Sequence, residues 1–180
     1  MFTRMADGTA EEWMAIRERT LEDQRHVAER VLPMLASLER SVDGYGVDQL
    51  VHSLQTASRA ERAGADDELV VAALCHDVGK FVSTANHAAM SAEVIRPYVR
   101  DELYRVVLHH QVFEGDHYND KFGWPTDGRL AFSHQPWFGL AATFADEWDQ
   151  TSFDPAYDTP PLIHFESRVR RVFAEPRITM

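Results

Sequence analysis

Apolar residues recur at helical spacing along most of the chain, and no segment alternates with period two for long enough to predict a strand. Thr9-Ala10-Glu11-Glu12 reads as a capping box opening a polar-faced helical segment that runs to about Arg40. Pro33 is expected to kink or divide it. After a turn cluster at Ser41-Val42-Asp43-Gly44-Tyr45-Gly46, Asp48 can cap a helix from Gln49 to about Ala63. Leu50, Leu54, Ala57 and Ala60 form its inner side, and Gly64 supplies the stop. Asp66 or Asp67 caps a short, wholly apolar helix, Glu68 to Cys75, which must be buried on every side. Met90 to Val99 continues helical as far as Pro97, and Glu102 to His110 is another helix with Leu103, Val106 and Val107 facing in. From Gln111 to Pro136, glycines and prolines mix with Phe113, Tyr118, Phe122 and Trp124, which predicts a long aromatic loop of the kind that covers sites. Trp137 to about Thr151 and Pro161 to Phe173 are the last helices, the latter with Thr159 as cap and Pro160 in its first turn. The expectation is an all-α domain of about six or seven helices over residues 1–180, with a core near 45–151 and an N-terminal helical extension at 9–40.

Composition narrows the class. The 180 residues are 44% apolar and 26% charged, which suits a globular domain and excludes a disordered chain or a fibre. A single cysteine, Cys75, excludes an intramolecular disulfide and a cysteine-rich zinc site. The longest apolar run, Leu69 to Cys75, is far short of the roughly 20 residues that span a bilayer. No apolar signal segment follows the first methionine, so the expected location is cytoplasmic. A net charge of −11 argues against nucleic acid as a partner, and no membrane partner is expected.

The candidate chemistry lies in the histidines. His76-Asp77 ends the most buried helix, where two ionisable neighbours are costly unless paired or bound to metal. His52, His87, the pair His109-His110, and Asp146 and Asp149 can complete a ligand set. Imidazole and carboxylate without thiolate suit iron, manganese, cobalt or zinc, and a bridging carboxylate suits two ions. Taken singly, each residue has an ordinary structural reading, as a core histidine, a helix-end ion pair or a surface side chain. His109 and His110 point about 100° apart, so at most one faces a metal.

The joint pattern His52, His76-Asp77 and Asp149 resembles the HD-domain superfamily, and the resemblance extends over roughly Tyr45 to Asp149. The string His52-Ser-Leu-Gln55-Thr-Ala57 is similar to the His-x-x-Gln-x-Ala signature of its di-iron oxygenase branch, which includes myo-inositol oxygenase and the phosphonate-cleaving HD oxygenases. That resemblance implies a compact HD-type helical bundle. It implies one iron on His52, His76, Asp77 and Asp149 and a second on Asp77, His87 and His110, with Asp77 bridging. Asp146 is the fallback for Asp149. The implied cofactor is an Fe(II)/Fe(III) pair, with Mn, Co or Zn as alternatives. The implied reaction uses O₂ to cleave a C–C or C–P bond beside a hydroxylated carbon of a small polar substrate.

Three further residues take roles under the same resemblance. Lys80, in His-Asp-Val-Gly-Lys, would orient a hydroxyl or anionic group beside the metals. Gln55 shares a face with His52 and would assist a ligand or bound water. Tyr45 would gate an iron position. The phosphonate enzymes carry lysines four residues beyond the last metal histidine and the last aspartate; Glu114 and Phe153 stand there instead, which argues against a phosphonate. Arg59 and Arg62 would compensate if they faced the site, and would otherwise form a solvated helix face. The alternative function is a metal-dependent HD phosphohydrolase acting on a small phosphate ester or nucleotide. A binding or sensor module without turnover is the third reading. The residues leave the oligomeric state open.

Overall fold

The computed structural model describes residues 1–42 and 44–177; Asp43, within the expected turn cluster, lies outside them. Among the described residues there are eight α-helices and no strand. The first is α1, Ala10–Gln24, opened by the expected box: the Thr9 hydroxyl accepts from the Glu12 amide at 3.3 Å, and Glu12 accepts from the Thr9 amide. No residue of α1 is buried. The chain breaks at Arg25 to Val27 rather than at Pro33, which lies inside α2, Ala28–Ser37. Burial of Ala28, Val31 and Leu35 holds α2 on the core despite the amide that Pro33 lacks.

The centre of the molecule is a helical pair. The third helix, α3, Gln49–Arg62, is capped by the Asp48 carboxylate, which accepts from the Val51 amide at 2.8 Å. Gly64, at φ +82°, ends it in the left-handed region that a side chain disfavours. Next, α4, Asp67–Cys75, takes Asp66 as its cap and is buried from Leu69 to Cys75. These two pack side by side, and α3 also lies along the segment that carries Asp149. The fifth and sixth helices, α5, His87–Ile95, and α6, Asp101–Tyr118, pack together, with Leu103, Val106 and Val107 buried as expected.

The expected long loop is shorter. Residues 111–118 remain helical in α6, and two 3-10 turns, Asn119–Phe122 and Gly128–Phe132, follow. Phe113 is fully buried, whereas Phe122 and Trp124 stack on each other in the open and cover nothing. The short α7, Phe138–Thr143, runs into a π-helical turn, Phe144–Asp149. Finally α8, Leu162–Val172, begins at Pro161 without the Thr159 cap, because the Thr159 hydroxyl donates to the Tyr157 carbonyl instead. Arg168 ties α8 to Glu61 and Asp67, joining it to α3 and α4. Among the described residues no helix is long and apolar enough to cross a membrane.

Candidate metal centre

Five elements contribute the six expected groups. His52 comes from the first turn of α3, His76 and Asp77 from the end of α4, His87 from the start of α5, His110 from the middle of α6, and Asp149 from the end of the π turn. All six are at most 4% exposed. Their imidazoles are oriented alike: Nδ1 donates to a backbone carbonyl, His52 to Ser152 at 3.0 Å, His76 to Ala73 at 2.8 Å, His87 to Thr84 at 2.8 Å and His110 to Val107 at 2.7 Å. A carbonyl only accepts, so Nδ1 carries a proton in each ring and Nε2 is the nitrogen turned inward, free to coordinate when it carries no proton.

Asp77 divides its carboxylate between two histidine pairs. Its Oδ2 lies 3.5 Å from Nε2 of both His52 and His76; its Oδ1 lies 2.9 Å from His87 and 3.5 Å from His110. Asp149 Oδ1 approaches His52 at 3.1 Å and His76 at 3.4 Å. Each contact sets an inward Nε2 against a carboxylate oxygen. Asp77 Oδ1 and both oxygens of Asp149 are buried without a hydrogen-bond partner. Orphaned carboxylate oxygens opposite inward imidazole nitrogens are a donor set that cations would satisfy. The residues fit a metal ion: His52, His76 and Asp149 form one group that could hold it, and His76, Asp77 and His110 another.

Positive charge at the cluster favours the ionised form of both aspartates. Burial opposes ionisation of Asp77, yet His76, His110, His87 and Lys80 hold its carboxyl well below the usual carboxylate range. Asp149 is likewise held low against burial, by His76, Glu114 and His52. Lys80 Nζ lies 2.6 Å from Asp77 Oδ2 and donates to Gln49 Oε1 at 2.9 Å. Burial works against its charge, but Asp77 raises the ammonium's pKa overall.

The other expected residues are placed differently. Gln55 does not reach the cluster; its amide donates to the Asp154 carbonyl at 2.7 Å and accepts from the Asp154 amide at 3.3 Å. It therefore braces the segment whose Ser152 carbonyl holds His52. Tyr45 stacks on Phe153 with centroids 4.3 Å apart, and Phe153 in turn stacks on His52 at 4.2 Å, so Tyr45 stands one ring away from the nearest imidazole. His110 rather than His109 enters the cluster, because His109 stacks on Trp137. The fallback Asp146 is occupied by two bonds from Arg129, both 2.9 Å, and one contact with His117 at 2.8 Å. Arg59 and Arg62 do not compensate for missing cations at the cluster: they bond the Thr151 and Asp158 carbonyls and lie over the Tyr157 ring.

Two residues escaped the sequence reading of the site. Glu114 puts a carboxyl oxygen within 4.8 Å of a His110 nitrogen and an Asp149 oxygen. Burial and the Asp149 charge push its pKa well above the usual carboxylate value. Its spacing from His110, one helical turn, was the available signal. Gly79 is the second. A Cβ there would meet the His87 carbonyl oxygen at 2.4 Å and the Met90 Cβ at 2.8 Å, so the bare glycine lets the turn after Asp77 reach the start of α5.

Residues 50–135 match the family model described as HD domain. The match takes in His52, His76, Asp77, His87 and His110 and stops short of Asp149. No curated protein matches the chain. Over residues 50–135, just under half of its length, the chain is thus similar to the HD domain, a family of metal-dependent hydrolases and oxygenases.

Proposed function

We propose that the protein is a non-haem di-iron oxygenase that uses O₂ to cleave a C–C or C–P bond next to a hydroxylated carbon of a small polar substrate. The observation that supports this most is the division of the Asp77 carboxylate between two histidine pairs, which gives each of two ions its own nitrogen donors. An iron pair in that position supplies dioxygen activation and Lewis acidity toward the substrate hydroxyl. The chain's own groups do the remainder. Backbone carbonyls fix the imidazole rings, burial keeps bulk water from the cluster, and Lys80 holds a positive charge and a donor N–H at the edge of the bridging carboxylate. Glu114 and Phe153 supply no cation, which favours a polyol-like substrate over a phosphonate.

Phosphohydrolysis on the same metals is the second reading, supported by the likeness to the HD domain itself. It would want several cations around the cluster to meet phosphate charge. Lys80 is in contact with Asp77, whereas Arg59, Arg62 and Arg129 are engaged elsewhere. The test is protein purified without oxygen, loaded with Fe(II), and supplied with a panel of polyols, hydroxyphosphonates and phosphate esters. The oxygenase reading predicts O₂ uptake that depends on a hydroxylated substrate. Phosphate release with Mn(II), without O₂ uptake, would establish the hydrolase instead.

A further inference from the structure

One carboxyl group at the centre is unused by the ligand set above. Glu114 follows His110 by four residues on α6, the separation that puts two side chains on one helical face. Its carboxyl, the His110 imidazole and the Asp149 carboxylate each present a ligand atom within 4.8 Å of the other two. That is the same closeness that joins His52, His76 and Asp149. Asp149 is fully buried, and neither of its oxygens has a hydrogen-bond partner. Its Oδ1 faces His52 and His76. A buried carboxyl group and a half-buried one side by side repel unless a cation or a proton lies between them. Elsewhere in the fold such carboxylates meet arginine, as Asp146 and Asp116 meet Arg129. Among the described residues no arginine or lysine makes a hydrogen bond or ion pair with Asp149, although the Lys80 ammonium is near enough to feel both carboxyl groups.

We infer that Glu114 is a seventh protein ligand of the metal centre, closing the face between His110 and Asp149. This rests on the two-metal reading proposed above. The centre would then hold three carboxylates and four imidazoles, with Asp77 and Glu114 joining the two halves from different helices. A carboxylate at that face adds negative charge where an anionic substrate would approach, so the open coordination positions suit a neutral hydroxylated molecule better than a phosphate.

Calorimetric titration of the metal-free full-length chain with Mn(II) tests this, comparing wild type, Glu114→Gln and Glu114→Asp. Gln keeps the shape but loses the anionic donor. The wild type should bind two ions. In Glu114→Gln one of the two should weaken tenfold or more while the other is unchanged, and Asp should recover part of the loss. Thermal melting of the metal-free proteins reads folding separately, and a Gln variant that melts with the wild type must still show the weakened site. Two ions bound by Glu114→Gln as tightly as by wild type would overturn the assignment and leave Glu114 a neighbour of Asp149 that binds no metal. A wild type that takes up no metal would overturn the two-metal reading and this inference with it.

Discussion

His52 Nε2 and His76 Nε2 face each other at 3.1 Å, while the Nδ1 of each ring donates to a backbone carbonyl. With no proton on either Nε2, two lone pairs at that distance in a buried site repel, and His87 and His110 repeat the arrangement at 3.3 Å. A cation between each pair turns the repulsion into coordination. Metal should therefore act as a folding ligand: at a free concentration of 100 times Kd it stabilises by about 2.7 kcal/mol per site. Melting with and without chelator should show a clear rise on loading with Mn(II) or Fe(II). His76→Ala should remove that rise, and its retention would contradict the ligand assignment.

Gly79 lets two parts of the centre approach, since its Cα passes close to the His87 carbonyl. Gly79→Ala forces Cβ against backbone rather than a movable side-chain tip. Overpacking of this kind costs about 1–3 kcal/mol, and the shift should fall on His87. The expected result is a lower melting temperature together with weakened binding of one metal, read by denaturation and metal titration. A variant with wild-type stability would show that α5 can move at no cost.

Gln55 acts at a distance. Its amide holds both backbone groups of Asp154, and the Ser152 carbonyl two residues earlier orients His52. Gln55→Ala should cost about 1–3 kcal/mol through the buried groups it leaves unpaired. Loss of ring orientation should cost about 10–100-fold in metal affinity. Gln55→Glu keeps the acceptor for the Asp154 amide but loses the donor to its carbonyl, and should fall between. Unchanged metal affinity in Gln55→Ala would separate the brace from the centre.

Arg129 pins the segment after α6 to the π turn by its paired bonds to Asp146. Burial opposes ionisation of Asp146, but Arg129 and His117 lower its pKa overall. A carboxylate lowered in the folded state contributes stability above its unfolded value, about 3.9, and loses it as pH falls through the folded value. Asp146→Asn should thus be less stable than wild type at pH 6, and the gap should narrow below pH 4. Asp146 is 39% exposed on its side chain, so the difference is expected at only about 1 kcal/mol. Urea midpoints at the two pH values measure it; a gap that widens in acid would contradict the pairing.

Much of this architecture is written locally. Thr9, Asp48 and Asp66 cap the helices they precede, Gly64 stops α3, and the unbroken apolar run of α4 is buried throughout. The six residues read as ligands meet in one cluster because each lies near a helix end or on an inner helix face. What the pattern concealed depends on distant contacts. α6 runs through Gly115, with the Asn119 side chain packed where a Cβ would stand and Arg129 bonded to the Phe113 carbonyl. Pro33 sits inside α2 because core burial outweighs its missing amide. The π turn widens the continuation of α7, so Asp146 and Asp149, three apart, leave a common face; one meets Arg129 and the other the centre. The role expected of Gln55 shifted for a similar reason: its partner, Asp154, is remote in sequence.

The most direct test is metal quantification and Mössbauer spectroscopy on protein expressed with iron and purified without oxygen. Two irons per chain in a magnetically coupled pair are predicted, with the coupling lost in Asp77→Ala. A single uncoupled ion per chain, or a pair that survives removal of Asp77, would contradict the shared-carboxylate centre.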